Sequence, residues 1–313
     1  MPSPAPDFSV VIPCRDHALE VVRCLTSVRR QEFAGTFEVI VVDAGLDDTL
    51  LAVADASTRI VRGREPLHPG PARNLGAAQA NGRWLCFIDA DAVAEPGWLT
   101  AAAAALRAGA HVVGGAVLQG ERWHPVATID NLMQFSDLAP GRPAGPAVLL
   151  PSCNLAISGA DFAAVGGFPV LDSAAGEDVL FCENAGRRWP GSLHFEPAMR
   201  VRHYGRSTLR ALAAHHDNFG FIRARYGLQL TDTHRRLGRS PLLVSLLGVR
   251  RLANLVQRAQ QWQPAALLAY ELAFPVLVIG MSAWCRGFHR GLLSVTSPDG
   301  SQLRVCCCCP GRC

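Results

Sequence analysis

Short apolar runs alternating with helix-like segments fill the first 115 residues and leave few folds open. Phe8–Pro13 (FSVVIP), Phe37–Asp43 (FEVIVVD) and Trp84–Asp89 (WLCFID) are apolar almost throughout, and Arg59–Val61 is a shorter run of the same kind. Such runs, rich in β-branched residues, read as strands buried on both faces. Between them Leu19, Val22 and Leu25 stand at helical spacing, and Thr49–Ala56 and Pro71–Ala80 have helix composition. Pro96–Ala108 is an Ala-rich helix with proline in its first turn. This alternation predicts an α/β domain: a mostly parallel sheet flanked by helices. Ligands of such sheets bind at the carboxyl ends of the strands. Pro13–Asp16, Asp43 and Asp89–Asp91 all fall there, which makes them candidate site residues.

Regularity is lost over residues 120–150, where Gly141, Pro143, Gly145 and Pro146 mark a loop or crossing segment. Cys153–Ser158 and Leu193–Phe195 read as strands, Glu177–Arg188 and Leu209–Tyr226 as helices. After about residue 240 the chain becomes strongly apolar, in Pro241–Val249 and Pro264–Cys285. The second stretch has the length of ~20 residues that crosses a bilayer. Glu271 and Pro275 interrupt it, and an unpaired carboxylate in lipid is costly. With Arg250, Arg251 and Arg258 just before it, the region reads as membrane-associated helices, a soluble helical cap being the alternative.

The 313-residue chain carries a net charge of only +4, and all thirty of its basic residues are Arg. They are dispersed, whereas nucleic-acid binders cluster them, so no nucleic-acid partner is expected. Six of the eleven Cys stand singly and read as buried reduced thiols. The others, Cys306–Cys309 and Cys313, have neither CxxC spacing nor a neighbouring His, and read as a disordered tail. Pro2, Pro4, Pro6 and Asp7 break any signal-peptide core, so the expectation is a cytoplasmic catalytic part.

Asp89-Ala90-Asp91 carries the most chemistry. Two carboxylates at i and i+2 after a buried strand converge on one hard cation, Mg²⁺ or Mn²⁺, whose shell substrate phosphates complete. Such a cation neutralises a leaving nucleoside diphosphate. Asp43 has the chemistry to accept hydrogen bonds from a base or ribose, and equally that of a turn-forming Asp beside Ala44-Gly45. Arg73, opening a helix, suits a diphosphate or a plain surface role. Glu177-Asp178 at a helix start offers a general base for a hydroxyl, and equally a match to the helix dipole. His203 is a candidate neutral-imidazole metal ligand, with Arg206 a candidate diphosphate contact.

Taken in order these segments resemble glycosyltransferase family 2, of GT-A fold. Phe8–Asp16 (FSVVIPCRD) is similar to the family's opening strand and nucleotide loop, and Phe37–Thr49 (FEVIVVDAGLDDT) to its second strand. Pro71–Leu99 (PARNLGAAQANGRWLCFIDADAVAEPGWL) resembles the ARNxG turn, helix, strand, DxD and Pro-led helix. Cys153–Val179 carries NxAI, VGGF and the ED pair, and His203–Ser207 (HYGRS) resembles the segment that follows. The match covers roughly residues 8–225.

The resemblance implies an inverting transfer of sugar from a nucleoside-diphosphate sugar, a UDP-sugar first, to a hydroxyl acceptor in cell-envelope glycan synthesis. Pro13, Arg15, Asp16, Asp43, Arg73, Asp89 and Arg206 would bind the donor. Asp91, Asp89 and His203 would hold the metal. Asp178 would be the base, with Glu177 shaping the acceptor site. Residues 1–235 would form the catalytic domain, 8–115 its nucleotide-sugar half and 116–235 its acceptor half. Residues 236–292 would hold it to the cytoplasmic face of a membrane, and 293–313 would be the tail. Two rivals are weighed. A sugar nucleotidyltransferase wants a Gly-rich loop after the first strand, which Pro13-Cys14-Arg15-Asp16-His17 is not. A catalytically inactive GT-A-like membrane-associated binding protein would have lost a metal or base carboxylate, whereas Asp89, Asp91 and Asp178 are all present.

Overall fold

The computed structural model describes residues 5–15, 18–45, 58–120, 123–173 and 175–295. Asp16, the helix expected over Thr49–Ala56 and the Cys306–Cys313 tail lie outside the described residues. The elements run β1 (Phe8–Cys14), α1 (Ala18–Arg29), β2 (Phe37–Asp43), β3 (Thr58–Arg62), α2 (Pro69–Ala78), β4 (Trp84–Ile88), β5 (Ala92–Ala94), α3 (Trp98–Arg107), β6 (Val112–Gln119) and α4 (Pro125–Phe135). They continue with β7 (Gly145–Pro146), β8 (Asn154–Ser158), α5 (Gly159–Val165), α6 (Glu177–Arg188), β9 (Leu193–His203), α7 (Leu209–Arg225), α8 (Asp232–Gly238), α9 (Val244–Trp262), α10 (Leu267–Leu272) and α11 (Phe274–Val295). The sheet order is β3-β2-β1-β4-β8-β6-β9-β5, with β7 paired to β9. The described residues form two compact units, residues 5–116 with 143–202, and residues 117–142 with 203–295.

In the first unit β3, β2, β1 and β4 are parallel, as their unbroken apolar runs require. β8 pairs antiparallel with both β4 and β6, so the parallel half ends at β4. Its residues Phe8, Val10, Val11, Ile12, Ile40, Val42 and Phe87 are fully buried. Each such side chain contributes about 1.5–3 kcal/mol through lost apolar surface. Helix α2 starts on prolines in its first turn, where the missing N–H costs nothing. It lies close on β1 and β2 because Gly76 faces the Val11 and Val42 side chains, where a Cβ would collide. Helix α6 opens on Glu177 and Asp178 and closes on Arg187 and Arg188, a charge order that suits its dipole. Five described cysteines, Cys14, Cys24, Cys86, Cys153 and Cys182, are buried and outside any disulfide, and Cys285 is half-buried. Burial pushes the Cys182 thiol up to about 12, which leaves little thiolate.

The second unit is helical. Helix α4 occupies part of the stretch that sequence alone read as irregular. Pro125 stands at its start and the His124 ring accepts the Ala127 N–H at 3.3 Å. Val126, Ile129, Leu132 and Met133 of α4 pack with Leu212, Leu255, Leu277 and Met281. A second cluster joins Val244, Leu247, Trp284, Phe288 and Leu292. Among the described residues no single helix is long and apolar enough to cross a membrane. Residues 264–272 and α11 suffice together by length and composition, but turn by 81° between them. The outer side of α9 carries exposed Leu246, Val249 and Val256 at helical spacing, with exposed Leu242 just before it.

Candidate functional site

The site of the first unit is organised by one turn of α2. Arg73 is 3 % exposed. Its Nη1 donates to Glu177 Oε1 at 2.8 Å and its Nη2 to Asp89 Oδ1 at 2.5 Å. The guanidinium thus bridges the first carboxylate after β4 and the first carboxylate of α6. Burial works against its charge, but Asp89 and Glu177 outweigh that and raise its pKa further. Its neighbour Asn74 donates to the Phe168 carbonyl at 2.7 Å and accepts the Phe168 N–H at 2.9 Å. Phe168 packs on Phe181 of α6 with centroids 4.7 Å apart, and on Phe87 of β4 at 5.2 Å. The ARN, GGF, DxD and ED segments, scattered over a hundred residues, meet through these contacts.

Asp178 is half-buried, and its carboxylate accepts the Val179 N–H at 2.8 Å. Burial pushes its pKa up to about 7, and the Glu177 charge adds to the shift, with Arg73 opposing it. Glu177 is engaged by Arg73, and Asp178 has the proton affinity suited to a base near neutral pH. Asp89 and Asp91 are half-buried and present carboxylate oxygens within 4.8 Å of each other. Asp89 spends Oδ1 on Arg73 and has a second oxygen, and all donors of the pair are hard. The pair therefore fits Mg²⁺ or Mn²⁺ rather than a soft metal.

Asp43 closes β2 and is 1 % exposed. Its Oδ2 accepts from Arg62 Nε at 2.7 Å, and its Oδ1 from the Gly45 N–H at 3.2 Å. Arg62 is its register partner on β3, so both its oxygens serve the strand ends. Pro13 is half-buried near the end of β1, and Arg15 just beyond it is exposed.

Two assigned residues belong to the second unit. His203 ends β9, is 6 % exposed, accepts the Gly120 N–H at its carbonyl at 2.8 Å, and sets its ring edge-on to Phe135 at 5.2 Å. Arg206 donates its backbone N–H to Asp130 Oδ2 at 3.1 Å. His215 and His216 sit side by side on α7, His216 fully buried against Asp130 at 3.1 Å. Burial drives the His215 pKa down to about 2, so that ring stays neutral. Sequence reading missed Asp130 and the bridging role of Arg73. The available signal for the first was Pro125 followed by apolar residues at 126, 129, 132 and 133, which is a helix start.

Residues 9–129 match the family described as glycosyl transferase family 2. The chain is 30 % identical over 278 residues to the pre-mycofactocin glycosyltransferase of Mycobacterium tuberculosis H37Rv, covering 80 % of this chain and 55 % of that protein. It thus spans about half the length of that curated relative. Among solved structures it is similar to the mannosyltransferase PcManGT of Pyrobaculum calidifontis in complex with GDP-Man and Mn²⁺, with TM-score 0.57, 19 % identity, and 93 % and 88 % of the two chains covered. It is also similar to S. aureus TarS 1-349 in complex with UDP-GlcNAc, with TM-score 0.51, 18 % identity, and 92 % and 91 % covered. Those likenesses establish the GT-A fold, within which residues 9–129 carry the match to glycosyl transferase family 2.

Proposed function

We propose that the chain transfers a sugar from a nucleoside-diphosphate sugar to a hydroxyl acceptor, with inversion at the anomeric carbon. The observation that carries this is the buried Arg73, which ties Asp89 of the DxD pair to the acidic start of α6. It sets the Asp89 and Asp91 pair beside Asp178, whose proton affinity burial raises to near neutral against the pull of Arg73. A divalent cation held by Asp91 and Asp89 would neutralise the departing diphosphate, with His203 proposed as a further ligand. Asp178 takes the proton of the acceptor hydroxyl as its oxygen bonds to the anomeric carbon and the bond to the diphosphate oxygen breaks. Pro13, Arg15, Asp16, Asp43, Arg73 and Arg206 are proposed on the donor side. UDP-sugars come first and GDP-sugars second, since fold neighbours were solved with UDP-GlcNAc and with GDP-Man. Similar proteins named for succinoglycan biosynthesis in Rhizobium meliloti and for PGL/p-HBAD biosynthesis in Mycobacterium tuberculosis favour a cell-envelope acceptor.

The test is thermal unfolding with UDP-, GDP- and dTDP-sugars, each with and without Mn²⁺. A donor at ~100 times its dissociation constant stabilises the folded state by about 2.7 kcal/mol. A shift that requires Mn²⁺ supports the proposal. Folded protein that shifts with no donor supports a binding protein without transferase chemistry.

A second proposal concerns location. The exposed apolar stripe of α9 lies beside exposed Arg250, and exposed Arg235, Arg236 and Arg239 precede it. Apolar residues edged by Arg suit the interface of an anionic bilayer, so we place the protein at the cytoplasmic face of a membrane, held through residues 241–285.

A further inference from the structure

A buried carboxylate with no role so far stands behind the HYGRS segment. Asp130 lies on α4 with no exposed surface. Its Oδ2 accepts the Arg206 backbone N–H at 3.1 Å, and its Oδ1 accepts His216 Nε2–H at 3.1 Å. His216 Nδ1 is buried with no hydrogen-bond partner among the described residues, which fits the Nε2–H tautomer. A Cβ on Gly205 would meet Asp130 Oδ2, so the turn is moulded onto this carboxylate. Phe135, also of α4, holds the His203 ring at the other end of the turn. Burial alone would push the Asp130 pKa up, but the His216 hydrogen bond and nearby positive charge outweigh it and bring it to about 2. The group is therefore ionised.

Its relation to the Arg206 side chain differs from its relation to the Arg206 backbone. Arg206 Nη1 is 3.7 Å from Oδ2, beyond hydrogen-bond length. The carboxylate fixes the main chain by a hydrogen bond and meets the guanidinium as a charge, without a hydrogen bond from Nη1. A planar fork held this way suits phosphate oxygens, and a pre-set turn spares the ordering cost on binding.

We propose that Asp130 is a positioning residue that presents the Arg206 guanidinium to the phosphates of a nucleoside diphosphate. This rests on the donor reading above. The experiment is calorimetric titration of the full chain with UDP and Mn²⁺, using wild type, Asp130→Asn, Asp130→Ala, Arg206→Gln and the two double variants. Asn keeps the size of Asp, and His216 can answer its amide by changing tautomer, so Asp130→Asn retains the fold even where Asp130→Ala does not. Expected are losses of about fivefold to tenfold for Asp130→Asn and for Arg206→Gln, with the double variant no weaker than Arg206→Gln, as coupled residues behave. A loss equal in size with and without Arg206 means a merely structural role and overturns the proposal, as does folded Asp130→Asn with unchanged or tighter binding. Unchanged binding in Arg206→Gln, where Asp91→Asn abolishes it, removes Arg206 and this proposal while the donor reading stands. No binding to wild type overturns both.

Discussion

Arg73 and Glu177, 104 residues apart in the chain, meet with Nη1 2.8 Å from Oε1 in a site that leaves Arg73 almost no exposed surface. Because Arg73 also holds Asp89, its loss strands two carboxylates at once. Arg73→Ala is expected to lower stability by about 3–5 kcal/mol, the cost of an uncompensated buried charge. Arg73→Lys, with one ammonium in place of a two-pronged fork, should fall between. Urea unfolding of the three proteins checks the order, and equal midpoints would mean that the bridge is not held in solution.

The raised Asp178 pKa gives a pH dependence with a definite sign. As a base it must be ionised, so kcat/KM should rise about tenfold per pH unit below 7 and level off above it. Glu177→Gln removes the neighbouring charge that raises it and frees Arg73, so the acid limb should move to lower pH. Burial, the larger cause, is untouched, so the move is partial. Stability runs the other way. Between about pH 4 and 7 the folded protein keeps a proton that the unfolded chain has released, and stability falls as pH rises through that window. Asp178→Asn should flatten this slope, keep donor binding and lose transfer. Near-normal transfer by that variant would move the base elsewhere.

Asp91→Asn should abolish the Mn²⁺-dependent part of donor binding while leaving unfolding without ligand within about 0.5 kcal/mol of wild type, as expected of a residue off the core. Thermal shifts with and without Mn²⁺ measure both. Donor binding that persists with its metal dependence would take Asp91 out of the ligand set.

On α9, Leu246→Asp and Val249→Asp place charge on the exposed stripe. Each should change stability by about 0.5 kcal/mol or less, because these positions face outward. Both should reduce sedimentation with vesicles containing anionic lipid. Sedimentation equal to wild type would remove α9 from the lipid contact.

The parallel half of the fold was legible because β1, β2 and β4 are buried on both faces and so carry uninterrupted apolar runs. The carboxylates at their ends followed from that topology. The antiparallel turn of the sheet at β8 was not legible, since a five-residue run such as Asn154–Ser158 has no direction written in it. Helix α4 was missed because Gly and Pro beyond residue 140 drew attention from Pro125 and the apolar spacing behind it. For Arg73 the residue type was readable and its partners were not: a guanidinium opening a helix looks the same whether it faces phosphate or two buried acids. Asp43 illustrates the same limit, since its bond to Arg62 depends on the register of β2 and β3.

Asn154 gives the first unit a further property. Its Oδ1 accepts from Trp98 Nε1 at 2.8 Å, and its Nδ2 donates to the Ala116 carbonyl at 3.1 Å and the Met199 carbonyl at 2.9 Å. One side chain thus fastens segments 38, 45 and 56 positions away in sequence. None of these bonds forms by local zipping, and each requires a long loop to close first, which slows the search for the native state. During synthesis the amide has no complete set of partners until Met199 has left the ribosome, so this junction of the unit closes late.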